Sequence, residues 1–171
     1  DASGASAVVL LDNAARAEPL ADQGYRMALA AADCAANGTP VPADLKTFAA
    51  LGCYGMSAIT ALTAQNTVGV SGIHPVPPDF AAAQIAAVLE DIGADAVKIG
   101  MLYSAELIRV VAEQLQKFNA RNIVLDPVMV AQSGDRLLRD DAVGAITEYL
   151  MPIADVVTPN IPEAEVLVGR E

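Results

Sequence analysis

The sequence predicts an α/β protein. From about residue 42 onward, short β-rich runs alternate with amphipathic helical stretches. Those stretches carry their own start and stop residues. A hydrophobic share of 54% and a mean hydropathy of +0.40 over 171 residues allow a sizeable core.

PPDFAAAQIAAVLEDIG reads as a helix, with Asp79 as N-cap, Ile85, Val88, Leu89 and Ile92 on one face, and Gly93 as the stop. ADAVKIG follows as a buried strand. SAELIRVVAEQLQKF is a second helix capped by Ser104, with Leu107, Val111, Leu115 and Phe118 on its apolar side, and it leads into the strand NIVLD. A third helix from about Asp140 to Leu150 precedes the strand ADVVTPN, and PEAEVLVG opens a further helix with Pro162 near its first turn. Helical crossovers of this kind predict parallel strands. Upstream, GMSAITALTAQNTVGVSGIHPV reads as one or two strands with a polar break at Gln65, Asn66 and Thr67. Residues 1–41 are alanine-rich and less regular. There SAVVLLD is a candidate strand and LADQGYRMALAAADCAANG a candidate helix ended by Gly38, and the segment is a candidate replacement edge element.

Open parallel sheets bind ligands beyond the C-terminal ends of their strands. Three such ends carry unusual residues: Gly100 and Met101, Asp126 and Pro127, and Thr158, Pro159 and Asn160. Asp126, Asn160 and Glu163 form the most informative set. Carboxylates from neighbouring strand ends suit a Mg²⁺-nucleotide site, while the same residues are equally well read as a helix cap and an Asp-Pro turn. Gln65 and Asn66 pair donors with acceptors, as recognition of a heterocycle requires, or stabilise a turn. Met101 reads as core packing or as an apolar wall for a flat ring. Lys98, inside a strand, either snorkels or pairs with a carboxylate. His74 reads as a loop residue, and Gln132 to Asp135 as a turn within reach of phosphate.

The balance of 10 Lys+Arg against 21 Asp+Glu, a formal charge of −11, argues against nucleic acid or an anionic membrane surface as partner. Cys34, Cys53 and His74 have no metal-ligand spacing. No apolar run reaches the roughly 18 to 20 residues of a membrane span, so a soluble, cytoplasmic protein is expected. Walker A, GxGxxG, GxSxG and HExxH sequences do not occur.

Taken together, ADLKTFAALGCYGMSAITALTAQNTVGV (43–70), KIGML (98–102), VLDPVM (124–129), SGD (133–135) and TPNIPEAE (158–165) resemble the hydroxymethylpyrimidine and phosphomethylpyrimidine kinases of thiamine biosynthesis, in order and spacing. The resemblance covers about residues 43–171, a partial kinase domain preceded by a divergent segment, 1–42. It implies a ribokinase-like three-layer α-β-α fold with a mostly parallel central sheet, incomplete at the C-terminal side. The implied activity is ATP-dependent phosphorylation of 4-amino-5-hydroxymethyl-2-methylpyrimidine or its monophosphate, with Mg²⁺. Related pyridoxal-type vitamin kinases are the enzymatic alternative, and a non-catalytic remnant of the fold is the alternative of another class.

By the same resemblance, Gln65 binds the aminopyrimidine with the Thr63 backbone alongside, Met101 and Val128 line the ring, and Asp44 lies near the substrate. Asp126, Asn160 and Glu163 belong to the ATP and phosphate region, with Asp126 and Glu163 as metal-side carboxylates. The family's glycine-rich segment, similar to AGSDSGGGAGIQ, is replaced here by ALAAADCAANGTPVP, in which only Gly38 is glycine. The family's anion hole and its proposed cysteine base are expected beyond Glu171, so no catalytic residue is assigned, and catalysis by these residues alone is not expected. Homo-oligomers are common in the family, which makes self-association an expectation.

Overall fold

The computed structural model describes residues 3–12, 41–65, 70–129, 138–139 and 141–169. Six strands form one sheet: β1 (Ser3–Asp12), β2 (Tyr54–Gln65), β3 (Val70–Pro75), β4 (Ala96–Ile99), β5 (Ile123–Leu125) and β6 (Val156–Val157), in the order β3-β2-β1-β4-β5-β6. β4, β5 and β6 are mutually parallel, as the helical crossovers predict. β1 pairs antiparallel with β2 on one side and with β4 on the other, so β2 points the same way as β4. Four of the six strands therefore run in one direction, and β1 and β3 run against them. β1 stands inside the sheet, not at an edge, which corrects the reading of the N-terminal segment as an edge element. The candidate helix in residues 20–38 lies outside the described residues.

Among the described residues five α-helices accompany the sheet: α1 (Val41–Ala50), α2 (Pro78–Asp91), α3 (Ala105–Lys117), α4 (Ala142–Ala145) and α5 (Ile161–Val168). Strand alternation shows which face each covers. Met56 of β2, Val97 and Ile99 of β4, and Ile123 and Leu125 of β5 share one cluster with Ile85 of α2 and Ile108, Val111 and Leu115 of α3. On the opposite face of β2, a Cβ added to Gly55 would meet Leu45 Cδ2 at 2.9 Å and Phe48 Cδ2 at 3.0 Å, so α1 packs where only glycine leaves room. The result is three layers, with α1 and the α2–α3 layer on opposite faces of the sheet.

Local signals account for most helix ends. Ser104 caps α3 by accepting from the Leu107 N–H at 3.4 Å. Gly93, at φ +82°, takes the left-handed conformation that stops α2, and its N–H donates to the Val88 carbonyl. Asp79 is not the cap of α2. Proline at position 78 starts the helix with Pro77 in the cap position, and the Asp79 carboxylate accepts from the Phe80 N–H within the first turn. Ile92 is 45% exposed, because the chain leaves the helix there and the apolar stripe ends with Leu89. The third predicted helix begins at Ala142 and runs on through a wider turn over Ile146–Leu150, with i→i+5 bonding, and a tight turn over Met151–Ile153. His74 belongs to β3, opposite Leu62, and not to a loop.

Beyond the point where β3 turns away, the free edge of β2 is held by a side chain. The Gln84 amide of α2 donates to the Ile59 carbonyl at 2.9 Å and accepts from the Ile59 N–H at 3.0 Å, reproducing the pair of bonds that a neighbouring strand would make. Gln84→Ala leaves this half-buried peptide without those partners. It is expected to destabilise the chain by roughly 1–2 kcal/mol, read as a lower urea midpoint. An unchanged midpoint would show that the amide does not hold this edge.

Candidate functional site

Because β2, β4, β5 and β6 point the same way, their C-terminal ends lie along one margin of the sheet. Thr63 and Gln65 end β2, Met101 follows β4, Asp126 and Val128 follow β5, and Asn160 follows β6. β1 separates the end of β2 from that of β4 by two strand spacings, about 9.5 Å. The predicted pyrimidine-side residues are thus aligned on one margin, but Thr63 and Met101 are not on adjacent strands.

At its centre the margin holds a buried charge cluster. Val97 and Ile99 face the α2–α3 layer, so Lys98 between them points to the other face, toward α1. Asp44 stands in the first turn of α1, and Asp126 directly follows β5. The Lys98 ammonium donates to both Asp44 oxygens at 3.3 Å and lies 3.4 Å from Asp126 Oδ2. All three side chains are almost solvent-free, at 2% exposure for Lys98, 6% for Asp44 and 3% for Asp126. Of the two readings of Lys98, pairing with a carboxylate is the one that holds. Its double pairing had no sequence signal, since Asp44 and Asp126 are distant along the chain.

Asp126 Oδ2 is within ion-pair reach of Lys98 but receives no hydrogen bond, and it alone has this status among the buried side-chain oxygens and nitrogens of the described residues. Burial raises the Asp126 carboxyl to about 6; Lys98 opposes the rise, while Glu163 and Asp44 add to it. Burial also raises Asp44, against the pull of Lys98.

The end of β6 is organised differently. Asn160 Oδ1 accepts from the Glu163 N–H at 2.9 Å, and Glu163 Oε2 accepts from the Asn160 N–H at 3.0 Å, a reciprocal cap of α5. Glu163 Oε1 also accepts from the Met129 N–H at 3.4 Å, which ties the chain after β5 to the start of α5. The cap reading thus accounts for both side chains without a ligand. Glu163 is nevertheless buried and close enough to raise the Asp126 carboxyl.

The other predicted residues sit as follows. Met101 is buried, and its carbonyl accepts from Thr60 Oγ1 at 3.4 Å. Thr60 is the residue passed over where the β1–β2 register shifts, and its own carbonyl accepts from the Val76 N–H. Sequence reading did not single out Thr60. Val128 is half-buried against the main cluster, and Thr63 is half-buried opposite Ile73. The backbone of Gln65 pairs with Val70. Residues 133–135 lie outside the described residues. Among the described residues no group of three or more His, Cys, Asp or Glu side chains forms a metal cluster, Cys53 is buried and not in a disulfide, and no helix is long and apolar enough to cross a membrane.

The raised carboxyl of Asp126 has a thermodynamic consequence. The folded chain holds this proton more tightly than the unfolded chain, so the contribution is fully favourable below about pH 3.8 and is lost as pH rises through about 6. Asp126→Asn removes the cost of the buried anion. It is expected to raise the melting temperature at pH 7 by several degrees, corresponding to roughly 2–3 kcal/mol, with the gain fading toward pH 4. A gain independent of pH would contradict the assignment.

Comparison with known proteins identifies the family. A family model described as phosphomethylpyrimidine kinase matches residues 34–171. The hydroxymethylpyrimidine/phosphomethylpyrimidine kinase of Bacillus subtilis strain 168 is 46% identical over 145 residues, covering 85% of this chain and 54% of that protein. The crystal structure of phosphomethylpyrimidine kinase from Clostridium difficile 630 superposes with a TM-score of 0.72 at 49% identity, over 79% of this chain and 58% of that one. An ADP complex of Bacillus subtilis pyridoxal kinase gives 0.68 at 36% identity, over 80% and 52%. The chain spans about half the length of the curated pyrimidine kinases it matches. By family match and by identity to its relatives, it belongs to the phosphomethylpyrimidine kinase family.

Proposed function

We propose that this chain carries the pyrimidine side and part of the phosphate side of an ATP-dependent kinase, acting on 4-amino-5-hydroxymethyl-2-methylpyrimidine, its monophosphate, or both. The observation that supports it most is Asp126 Oδ2, a buried carboxylate oxygen without a hydrogen bond at the C-terminal end of a parallel strand. Such an oxygen is a hard donor, suited to Mg²⁺ directly or through a bound water. With no larger carboxylate cluster among the described residues, the donor set fits a cation that keeps several waters and is shared with nucleotide phosphates. Asp126 and Glu163 would hold it, Glu163 through lone pairs left beside its helix-cap bonds. When bound, the cation neutralises charge on the phosphates.

The protein's own task is placement. The γ-phosphoryl group would move from ATP to the hydroxymethyl oxygen, or to the phosphate of the monophosphate, with ADP as the leaving group and any hydroxyl proton released, and the rate depends on in-line positioning in a water-poor site. Gln65 would read the aminopyrimidine edge with the Thr63 backbone beside it. Met101 and Val128 would form the apolar wall, and Asp44 would stand at the substrate end of the charge cluster. Asn160 would fix the start of α5 on the phosphate side through its reciprocal cap with Glu163. Cytoplasmic small molecules, not nucleic acid or membrane, are the fitting partners for so acidic a chain, and self-association follows the family's habit.

Transfer of labelled phosphate from ATP to either pyrimidine tests the reading. Absence of transfer to both removes the kinase assignment for this chain, and faster transfer to pyridoxal redirects it. In calorimetric titration Gln65→Ala is expected to weaken hydroxymethylpyrimidine binding roughly tenfold or more. Unchanged affinity would take Gln65 out of the pocket.

A further inference from the structure

We propose that Thr60 is a positioning residue for the pyrimidine: the bulge it makes in β2 puts Thr63 on the sheet face shared by Met101 and Val128, and its hydroxyl holds the Met101 carbonyl. The inference rests on the assignment of Thr63, Gln65, Met101 and Val128 to the pyrimidine pocket.

Before the bulge, Met56 and Ala58 of β2 alternate onto the cluster that packs against α2 and α3. Continued regularly, that face would pass to positions 60, 62 and 64. Instead Ala7 of β1 pairs with Ile59 and Ser6 with Ala61, so Thr60 is an extra residue and the face passes to Ala61, which lies in the cluster. The Ile59 and Thr60 carbonyls, which would point opposite ways in a regular strand, both find partners away from β1: Gln84 Nε2 at 2.9 Å and the Val76 N–H at 2.9 Å. One extra residue exchanges the two faces of the strand beyond it. Leu62 and Ala64 are accordingly exposed, whereas Ile73, directly opposite Thr63, packs on the cluster. Thr63 thus comes to the side on which Met101 is buried and Val128 is packed.

The hydroxyl adds a second link. Thr60 is fully buried, and its Oγ1 donates to the Met101 carbonyl at 3.4 Å. β1 lies between β2 and β4, so this bond ties the chain after β4 to β2 past an intervening strand. The two sides of the pyrimidine pocket stand on those two segments. A binding site of this kind has to be held to within about 0.5 Å, and Thr60 is the side chain that joins its halves.

The test is calorimetric titration with hydroxymethylpyrimidine and, separately, with Mg²⁺ and a non-hydrolysable ATP analogue. Thr60→Val keeps the branched shape and removes the donor. It is expected to weaken pyrimidine binding roughly fivefold, the effect of one neutral hydrogen bond. Affinity for the magnesium nucleotide is expected to stay within about twofold, because that site lies on other strand ends. Thr60→Ser retains the hydroxyl and is expected to bind the pyrimidine within about twofold of the unmodified chain. Should Thr60→Val fail to fold, Thr60→Cys, which fills the site with a weak donor, takes its place with the same expected loss. The inference is overturned by unchanged pyrimidine affinity in the donor-removing variant, by an equal loss for both ligands, or by a loss in Thr60→Ser as large as in Thr60→Val. Gln65→Ala separates the two levels of the argument. A loss there with none in Thr60→Val removes this inference alone, whereas unchanged binding in Gln65→Ala removes the pocket assignment and this inference with it.

Discussion

One ammonium shared between two carboxylates, in the dry interior behind a sheet, is the constraint around which the rest of the site is arranged. Lys98 occupies a strand position whose neighbours are all buried, so its charge has no route to water. A buried ammonium without any carboxylate partner costs several kcal/mol. The sheet can therefore keep Lys98 only with a carboxylate beside it, and α1 brings Asp44 there while the end of β5 brings Asp126. Gly55, whose missing side chain admits Leu45 and Phe48, is what lets α1 approach closely enough. The packing of α1 and the charge of the site are in this sense one requirement.

The two ends of the margin show how differently acidic residues are used. Glu163 is buried but satisfied, with N–H donors from Asn160 and Met129 on its two oxygens, so it contributes to the fold whether or not a ligand is present. Asp126 is buried and incompletely satisfied. A polar group in that state is costly to the fold, and such costs gather where a ligand later supplies the missing partner. The raised carboxyl of Asp126 and its bare oxygen express the same desolvation.

What could be read from the sequence divides along physical lines. Ser104, Gly93 and the Asn160–Glu163 pair act within a few residues of themselves, and each was legible as a cap or a stop. Asp79 was misread because Pro78 already fixes the first helical residue and moves the cap back to Pro77. The interior place of β1 and the Gln84 bonds to Ile59 depend on residues far apart in the chain, and periodicity carries no information about which strands pair. Gln84 in particular looks like any polar residue on a helix. That Met101, Asp126 and Asn160 follow strand ends was legible because the strand and helix runs alternate, whereas a role for them came only from the resemblance. The Asp44–Lys98–Asp126 cluster was not legible, since Lys98 admitted two readings until the strand's facing was known.

The order of the matching blocks follows from the same geometry. In a sheet whose crossovers return each strand in the same direction, every strand end adds one group to a common margin, so residues as far apart in the chain as Val97 and Ile123, or Val124 and Val156, become neighbours without any long loop to carry them. The chain after β5 meets Glu163 of α5 through the Met129 N–H in this way. Asp44 is the exception, because it reaches the margin from a helix on one face. Among the described residues it is linked to Asp126 through the Lys98 side chain, which lies between them. A site assembled from strand ends alone would share charge only between neighbours. Lys98 extends that sharing through the sheet, which is how the charge of a residue on a helix comes to bear on a carboxylate at the end of β5.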